Sequence, residues 1–313
     1  MKLVTFVHDN RMSAGLLFDG TVRDLSPLID GGMDSLDDLI RLDERARSLV
    51  LGYAQSNDSS GLPKWGLDEV QLLAPIRQPG KIVCVGLNYK DHCYETNTPI
   101  PKSPIIFSKL PSAIVGPGDA INLHEDLTSE LDWEVELVAI IGSSVGPHHP
   151  GSLDSVFGYT IGNDLSARDL QREDGQWVRA KSLNTFCPLG PVVVTSEELP
   201  NPQNLGIGCK VNGIAHQDSN TSQMIFDLPY LIDWLTKGIT LEPGDLIFTG
   251  TPHGTGAYQN PPVFLGHGDN VTAWITGIGE LNNVVQTSSL VINQIIENPE
   301  IFEQRKITFH AAR

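Results

Sequence analysis

The chain of 313 residues is long enough for two domains, since a typical domain has about 150 residues. It contains 38 Asp and Glu against 21 Lys and Arg, a formal net charge of -17 at pH 7, which disfavours nucleic acid and anionic membranes as partners. Apolar residues make up 40% of the chain, and no apolar run approaches the roughly 20 residues of a membrane span. The first residues lack a signal or transit pattern. We therefore expect a cytoplasmic protein that contacts neither membrane nor nucleic acid.

The first 68 residues predict a small N-terminal α/β domain. Residues 2–7 and 16–18 have the apolar character of strands, and residues 36–51 have apolar spacing typical of a helix. The polar segment 56–66, which contains Gly and Pro, is typical of a linker.

From Val70 onward, short apolar runs alternate with Pro-Gly, Asn-Gly and Gly-Asp turns, which predicts a β-rich domain over residues 69–286. One amphipathic helix is expected at residues 222–237, and its apolar stripe is typical of core packing. Residues 287–313 form a C-terminal extension with a weak helical pattern that is interrupted at Pro299. The predicted fold class is therefore α+β and mostly β.

Two glutamates stand two positions apart in the segment DWEVELVAII, residues 132–141. In a strand, Glu134 and Glu136 would share one face, about 7 Å apart, because each residue advances the chain by about 3.3 Å. Neighbouring carboxylates repel each other unless a cation or solvent lies between them, and a hard divalent cation would remove this repulsion. Solvated glutamates at a sheet edge produce the same pattern, so both interpretations remain open.

The segment GNDLSARDLQ, residues 162–171, follows an apolar stretch and predicts a strand that turns into a helix. Asp164 could supply a third carboxylate. Arg168 and Gln171 lie one helical turn apart, where both side chains could meet the same ligand. The alternative is that Asp164 or Ser166 only caps the helix and that Arg168 pairs with an acidic residue of that helix.

A histidine and a glutamate follow the predicted strand at residues 81–85. His92 and Glu95 are three positions apart and would share one face of a helix. A histidine oriented by a carboxylate is the minimal general base, because its ordinary pKa near 6.5 allows proton exchange at neutral pH. A structural histidine is the alternative.

Two further segments offer polar groups. Lys181 could place a cation beside the carboxylates, although most lysines are exposed. The loop TGTPHGTG, residues 249–256, has amides and hydroxyls that could bind a carboxylate or a phosphate. This loop matches neither the Walker A pattern nor G-x-G-x-x-G, which disfavours a nucleotide-dependent enzyme.

Taken in order, these segments resemble the fumarylacetoacetate hydrolase family, and most closely its branch of two-part chains of about this length. The similarity runs from about residue 72 to residue 285, through GLNYKDHCYE, PIIFSKLPSAIVGPGD, DWEVELVAIIG, GYTIGNDLSARDLQ, KSLNTFCPLGP, VNG, DLIFTGTPHGTG and PPVFLGHGD. The first 70 residues resemble the small α/β unit of that branch more loosely. The last 25 or so residues extend beyond the family pattern.

The resemblance implies that the catalytic domain is a mixed β-sandwich roll, usually paired as a homodimer. It also implies that Mg2+ or Mn2+ is bound by three carboxylates: Glu134, Glu136 and Asp164. In the same way it assigns His92 and Glu95 as the acid/base pair, on a segment that closes over the site, with Lys181 near the metal-bound oxygen. Three further residues match positions that contact the substrate: Arg168, Gln171 and Thr251.

The implied activity is metal-stabilised enolate chemistry on a small 2-oxo dicarboxylic acid or an acylpyruvate. Hydrolysis of a C–C bond, decarboxylation, dehydration and keto-enol isomerisation of an oxaloacetate-like acid all remain open. Two alternatives are a specialised hydrolase or isomerase of a larger β-diketo acid and a non-catalytic binding protein on the same scaffold. Loss of His92, Glu95 or a metal carboxylate would favour the non-catalytic protein, and all of them are present.

Overall fold

The structure is a computed structural model that describes residues 1–56 and 61–287. The described part is mostly β, as the sequence predicts. Its strands are β1 (Lys2–His8), β2 (Arg11–Phe18), β3 (Thr21–Asp24), β4 (Lys64–Gly66), β5 (Gln71–Leu72), β6 (Ile82–Gly86), β7 (Ile105–Ser108), β8 (Ile114–Val115), β9 (Ile121–Asn122), β10 (Leu131–Asp132), β11 (Val135–Ile141), β12 (Val156–Asn163), β13 (Ser166–Ala167), β14 (Cys187–Thr195), β15 (Gly206–Val211), β16 (Ile214–Asn220), β17 (Leu246–Phe248), β18 (Asn270–Ile275) and β19 (Gly279–Gln286). Its α-helices are α1 (Leu36–Arg41), α2 (Glu44–Gln55), α3 (Lys90–Glu95), α4 (Arg168–Asp174), α5 (Trp177–Ala180) and α6 (Leu228–Thr236).

Two sheets packed against each other form the body of the described residues. The larger sheet has twelve strands, with the order β4-β3-β2-β1-β14-β12-β11-β17-β6-β7, while β5 pairs with β1 and β8 pairs with β14. The smaller sheet has five strands, in the order β16-β15-β18-β19-β9. Side chains of β15, β18 and β19 share one apolar core with side chains of β11, β12 and β14. The predicted mixed β-sandwich is therefore confirmed.

Strand β11 explains why the sequence after the glutamates is continuously apolar. All of its residues are buried, and those after Glu136 alternate between two cores. Leu137 and Ala139 face the core between the two sheets, whereas Val138 and Ile140 face a second core that includes α1. A strand covered on both faces needs apolar side chains at every position, and each buried side chain of this size contributes about 1.5–3 kcal/mol.

The N-terminal residues extend the large sheet. Strand β1 pairs with β2 along one edge and with β5 and β14 along the other edge, and the β14 pairing has the register Lys2↔Val194. The predicted domain boundary at residues 68–69 stays a prediction. The single helix predicted at residues 36–51 is wrong, because α1 and α2 are separated at Leu42 and Asp43. Asp43 caps α2 by accepting a hydrogen bond from the Ala46 amide at 2.9 Å.

The helix predicted at residues 222–237 is shorter than expected. Helix α6 begins at Leu228, because Asp227 caps it and Pro229 occupies its first turn. Its apolar stripe lies in the core, as predicted, but Met224 is buried outside the helix. The predicted pattern beyond Thr287 lies outside the described residues. Among the helices that the structure describes, none has the length and apolar character needed to cross a membrane.

Candidate active site

Neighbouring strands bring the predicted site residues to one edge of the large sheet. Strand β11 runs antiparallel to β12 and β17, and β6 runs parallel to β17. The start of β11 therefore lies beside the ends of β12, β17 and β6. Glu134 precedes β11, Asp164 follows β12, Gly250 lies just after β17, and α3 follows β6. Segments distant in the sequence thus meet at one place.

The predicted metal ligands form a buried carboxylate cluster, which comprises Glu134, Glu136 and Asp164. One ligand atom from each residue lies within 4.8 Å of the others. The Glu134 amide donates to Asn163 Oδ1 at 2.9 Å, and the Glu134 carbonyl accepts from the Asp164 amide at 2.8 Å. These backbone contacts place Asp164 directly beside Glu134. The solvated-edge interpretation of the two glutamates is therefore wrong, as is the interpretation of Asp164 as a simple helix cap.

Two buried lysines neutralise part of the carboxylate cluster. Lys181 Nζ lies 2.6 Å from Asp164 Oδ2 and 2.9 Å from Glu134 Oε2. Lys109 Nζ lies 2.7 Å from the other Asp164 oxygen, and its side chain is fully buried. Lys181 is thus placed at the site, as the resemblance implied. Lys109 was not singled out from the sequence.

Arg168 is also part of this charge network. Its Nε donates to Asp132 Oδ2 at 2.8 Å, its Nη2 forms an ion pair with Glu134 at 2.6 Å, and its Nη1 donates to Gln171 Oε1 at 3.1 Å. The predicted proximity of Arg168 and Gln171 is therefore present. The alternative pairing of Arg168 with an acidic residue of its own helix is wrong, because β10 and β13 pair and bring Asp132 to it.

The charges in the site are not balanced. Burial alone would raise the pKa of Glu134, but Lys181 and Arg168 lower the pKa of Glu134 to about 2. Glu136 accepts a hydrogen bond from the Gly250 amide at 2.7 Å, but burial and the two neighbouring carboxylates raise its pKa well above the usual value. When Glu136 is ionised, four carboxylates face three cationic side chains: Asp132, Glu134, Glu136 and Asp164 against Lys109, Lys181 and Arg168. The excess of one negative charge and the all-oxygen donor set fit a hard divalent cation.

The predicted acid/base pair, His92 and Glu95, lies on α3 beside this cluster. His92 Nδ1 is 3.1 Å from Glu95 Oε2, and the Gly254 amide donates to Glu95 Oε1 at 2.9 Å. The Tyr258 ring packs edge-on against the imidazole, with 5.7 Å between centroids. The loop after β17 contacts both groups, since Gly250 donates to Glu136 and Gly254 to Glu95, and this places the pair near the carboxylates.

Thr251 has a different environment from the one expected of a substrate ligand. Its hydroxyl donates to the Val135 carbonyl at 2.9 Å and accepts from Gln217 Nε2 at 2.8 Å. Gln217 is fully buried, and its Oε1 accepts from the Val135 amide at 2.9 Å. The single hydroxyl hydrogen of Thr251 is therefore donated to the backbone between Glu134 and Glu136. A substrate contact of Thr251 stays a prediction.

Sequence reasoning missed three buried polar residues of the site: Lys109, Asp132 and Gln217. Lys109 directly follows β7, and a buried lysine of this kind needs an acidic partner. Asp132 stands two positions before Glu134 in the same segment. Gln217 carried no local signal, because it lies in a strand whose neighbours are largely polar.

The fold and the site define the class of protein. The family profile described as fumarylacetoacetate (FAA) hydrolase C-terminal matches residues 81–286, and the chain belongs to the fumarylacetoacetate hydrolase family, as an enzyme of that family. The resemblance inferred from the sequence is confirmed.

Individual relatives are similar over most of the chain. The protein of Xenopus laevis named oxaloacetate tautomerase fahd2, mitochondrial, is 49% identical over 219 residues, which are 69% of this chain and 68% of that protein. Oxaloacetate tautomerase YisK of Bacillus subtilis (strain 168) is 40% identical over 300 residues, which are 91% of this chain and 100% of that protein. The solved structure of a fumarylacetoacetate hydrolase (EaFAH) from psychrophilic Exiguobacterium antarcticum is 41% identical, has a TM-score of 0.80, and is matched over 92% of this chain and 99% of that chain.

Proposed function

We propose that this protein is a divalent-metal-dependent tautomerase that converts the enol form of oxaloacetate into the keto form. Two relatives that match most of the chain are named oxaloacetate tautomerases. The observation that carries the proposal is the contact of His92 with Glu95, at 3.1 Å, beside a carboxylate cluster with an excess negative charge. Enol-to-keto conversion requires only a metal-held 2-oxo acid and a group that moves one proton.

Glu134, Glu136 and Asp164 are the proposed ligands of Mg2+ or Mn2+. Bound there, the ion would supply Lewis-acid stabilisation of the negative charge that develops on the 2-oxo acid. Addition of two positive charges to a site with one excess negative charge gives a net positive site, which favours a dianionic substrate. Lys181, held between Glu134 and Asp164, adds positive charge to the same region.

His92 is the proposed carrier of the proton. Glu95 accepts from Nδ1–H, which leaves Nε2 as the unprotonated nitrogen that faces the reaction. Nε2 takes the proton from the enol oxygen, and Glu95 stabilises the imidazolium that results. Nε2 then delivers a proton to C3, so one proton leaves the oxygen, one arrives at carbon, and both side chains return to their initial states.

Arg168, Gln171 and Thr251 are the proposed substrate contacts. Arg168 Nη1 engages Gln171 Oε1, which leaves the amide NH2 of Gln171 as a donor for a substrate carboxylate. The hydroxyl hydrogen of Thr251 is already donated, so we propose that Thr251 contributes to binding through its backbone or its remaining lone pair. The homodimer implied by the resemblance is part of the proposal, and light scattering of the purified protein tests it.

A second candidate is hydrolysis of a C–C bond in an acylpyruvate, which the name of the Exiguobacterium antarcticum structure favours. In that reaction His92 Nε2 would take a proton from water, and the hydroxide would attack the distal carbonyl. The C3–C4 bond then breaks, and C3 gains a proton.

One set of assays separates these reactions. The purified protein with Mg2+ is tested for loss of enol-oxaloacetate absorbance, for CO2 release, and for cleavage of acetylpyruvate and fumarylpyruvate. Enol loss without CO2 release or cleavage supports the tautomerase. Acylpyruvate cleavage with an uncatalysed enol rate supports the hydrolase. Inactivity on all of these substrates contradicts both assignments.

A further inference from the structure

The segment that carries the metal ligands is joined to the loop of residues 249–257 at successive points. The Gly250 amide donates to Glu136, the Thr251 hydroxyl to the Val135 carbonyl, the Trp133 indole to the Gly254 carbonyl, and the Gly256 amide to Asp132, with distances of 2.7, 2.9, 3.1 and 2.6 Å. Later residues of the loop contact earlier residues of the segment 132–136, so the two segments run antiparallel to each other. The position of the loop is therefore fixed relative to the carboxylate cluster.

Gly254 is the residue through which this loop reaches the acid/base pair. Its amide donates to Glu95 Oε1 at 2.9 Å, while the other oxygen of Glu95 faces His92 Nδ1. Gly254 has a φ of +95°, and a Cβ atom at this position would lie 2.0 Å from the His216 carbonyl oxygen. A glycine is required for this approach to Glu95.

Trp133 fixes the other side of Gly254. The indole is fully buried, and its ring packs against His216 with 4.8 Å between centroids. The indole nitrogen can only donate a hydrogen bond, and the Gly254 carbonyl accepts it at 3.1 Å. A continuous set of contacts therefore runs from Trp133 through Gly254 and Glu95 to His92.

We infer that Trp133 is a positioning residue that acts through Gly254 to hold Glu95, and thereby His92, in place beside the carboxylate cluster. Its effect on turnover rests on the proposed function, but its effect on the order of α3 does not. The residue adjacent to a metal ligand thus determines where the proton-carrying group stands.

The substitution Trp133→Phe tests this inference, because it removes the N–H group and keeps an aromatic ring. Hydrogen-deuterium exchange of residues 90–96 is expected to accelerate by about fivefold to tenfold, while exchange in β12 stays unchanged. Trp65→Phe is the matched control, because the Trp65 indole stacks on His8 in the N-terminal region. Its exchange in residues 90–96 should equal that of the wild type.

Kinetics give a second readout. In Trp133→Phe, kcat is expected to fall about tenfold, while KM and the Mg2+ dissociation constant stay within about twofold. Adding Trp133→Phe to Glu95→Gln should cause no further loss of kcat, because both changes act on the same contact. Additive losses, or a weakened affinity for Mg2+, would show a general structural role and overturn the inference.

A second variant keeps the test decisive if Trp133→Phe does not fold. Glu95 is half-buried, and Glu95→Ala removes the carboxylate that accepts from the Gly254 amide. This variant should accelerate exchange in residues 252–257. Unchanged exchange in whichever of the two variants folds contradicts the inference. If exchange accelerates in the variant but the wild-type protein is inactive on oxaloacetate, the positioning role is supported and the proposed function is rejected.

Discussion

Lys109 donates a hydrogen bond to Asp164 over 2.7 Å, and neither side chain is accessible to solvent. The same ammonium group donates to the backbone carbonyls of Leu165 and Lys181. Lys181 in turn donates to the second oxygen of Asp164. Asp164 is therefore held between two buried lysines, and Lys109 uses all three of its hydrogens to fix both the carboxylate and the backbone of Lys181.

This arrangement predicts a large loss of stability in Lys109→Met. Removal of one partner from a buried ion pair leaves the other charge uncompensated, which typically costs about 3–5 kcal/mol. We expect the free energy of unfolding, measured in urea with a metal chelator present, to fall by this amount. The control is Lys237→Met, which removes only an exposed ion pair with Asp233 and should leave the unfolding midpoint unchanged. Equal midpoints for both variants would contradict the assigned role of Lys109.

Glu136 should make the metal-free protein less stable as the pH rises. Burial and the neighbouring carboxylates raise the pKa of Glu136 in the folded state, so between the pKa values of the unfolded and folded states the folded chain binds more protons. Wild-type stability is therefore expected to fall through this window, and Glu136→Gln should lack the fall. Urea unfolding in chelator from about pH 5 to about pH 8 measures it.

The exposed residue Glu280 supplies the control, since Glu280→Gln should retain the pH dependence of the wild type. Mg2+ should raise the unfolding midpoint of the wild type and of this control, but not that of Glu136→Gln. The metal assignment would be rejected if Mg2+ stabilised all three proteins equally.

The parts of the site that the sequence predicted depend on local geometry. His92 and Glu95 meet because residues three apart share a helix face. Glu134 and Glu136 lie on the same side because residues two apart share one face of an extended segment. Lys109 lies 55 positions from its partner Asp164, and only the folded chain brings them together. A local pattern therefore identifies candidate ligands and a candidate base, but not the buried charges that hold them.

The helix bounds were predicted wrongly because local capping residues were not weighed against the apolar spacing. The apolar spacing of residues 222–237 continues through segments that do not share a helix, and Asp227 with Pro229 begins α6 only at Leu228. Helix capping outweighed periodicity there, as it did at Asp43. The strands were more predictable, because a strand buried on both faces, such as β11 after Glu136, requires apolar residues in succession.

His92→Ala should separate proton transfer from metal binding. The imidazole contacts Glu95 and Tyr258, so its loss is expected to lower kcat by about 10²–10⁴-fold while the Mg2+ dissociation constant stays within about twofold. Calorimetric titration with Mg2+ and enol-oxaloacetate kinetics measure the two effects. The control is His124→Ala, since the His124 imidazole contacts the Asn184 carbonyl and the Phe186 ring instead. Loss of Mg2+ binding in His92→Ala would reject its role as the base.

Arg168→Lys tests whether guanidinium geometry, rather than charge alone, orders the site. Arg168 engages Asp132, Glu134 and Gln171 through three different nitrogens, and a lysine cannot reproduce this arrangement. We expect KM for oxaloacetate to rise about tenfold, with Mg2+ affinity within about twofold, because the site charge is unchanged. Arg172→Lys, at an exposed pair with Glu130, is the control. A wild-type KM in Arg168→Lys would remove Arg168 from the proposed substrate contacts.

The most direct test of the proposed function is the rate of enol-to-keto conversion of oxaloacetate as Mg2+ is titrated into chelator-treated wild-type protein. The conversion is expected to accelerate until about one ion is bound per chain, to return to the uncatalysed rate when chelator is restored, and to stay at that rate in Glu136→Gln. Full acceleration in chelator, or in Glu136→Gln, would contradict a metal-dependent tautomerase built on Glu134, Glu136 and Asp164.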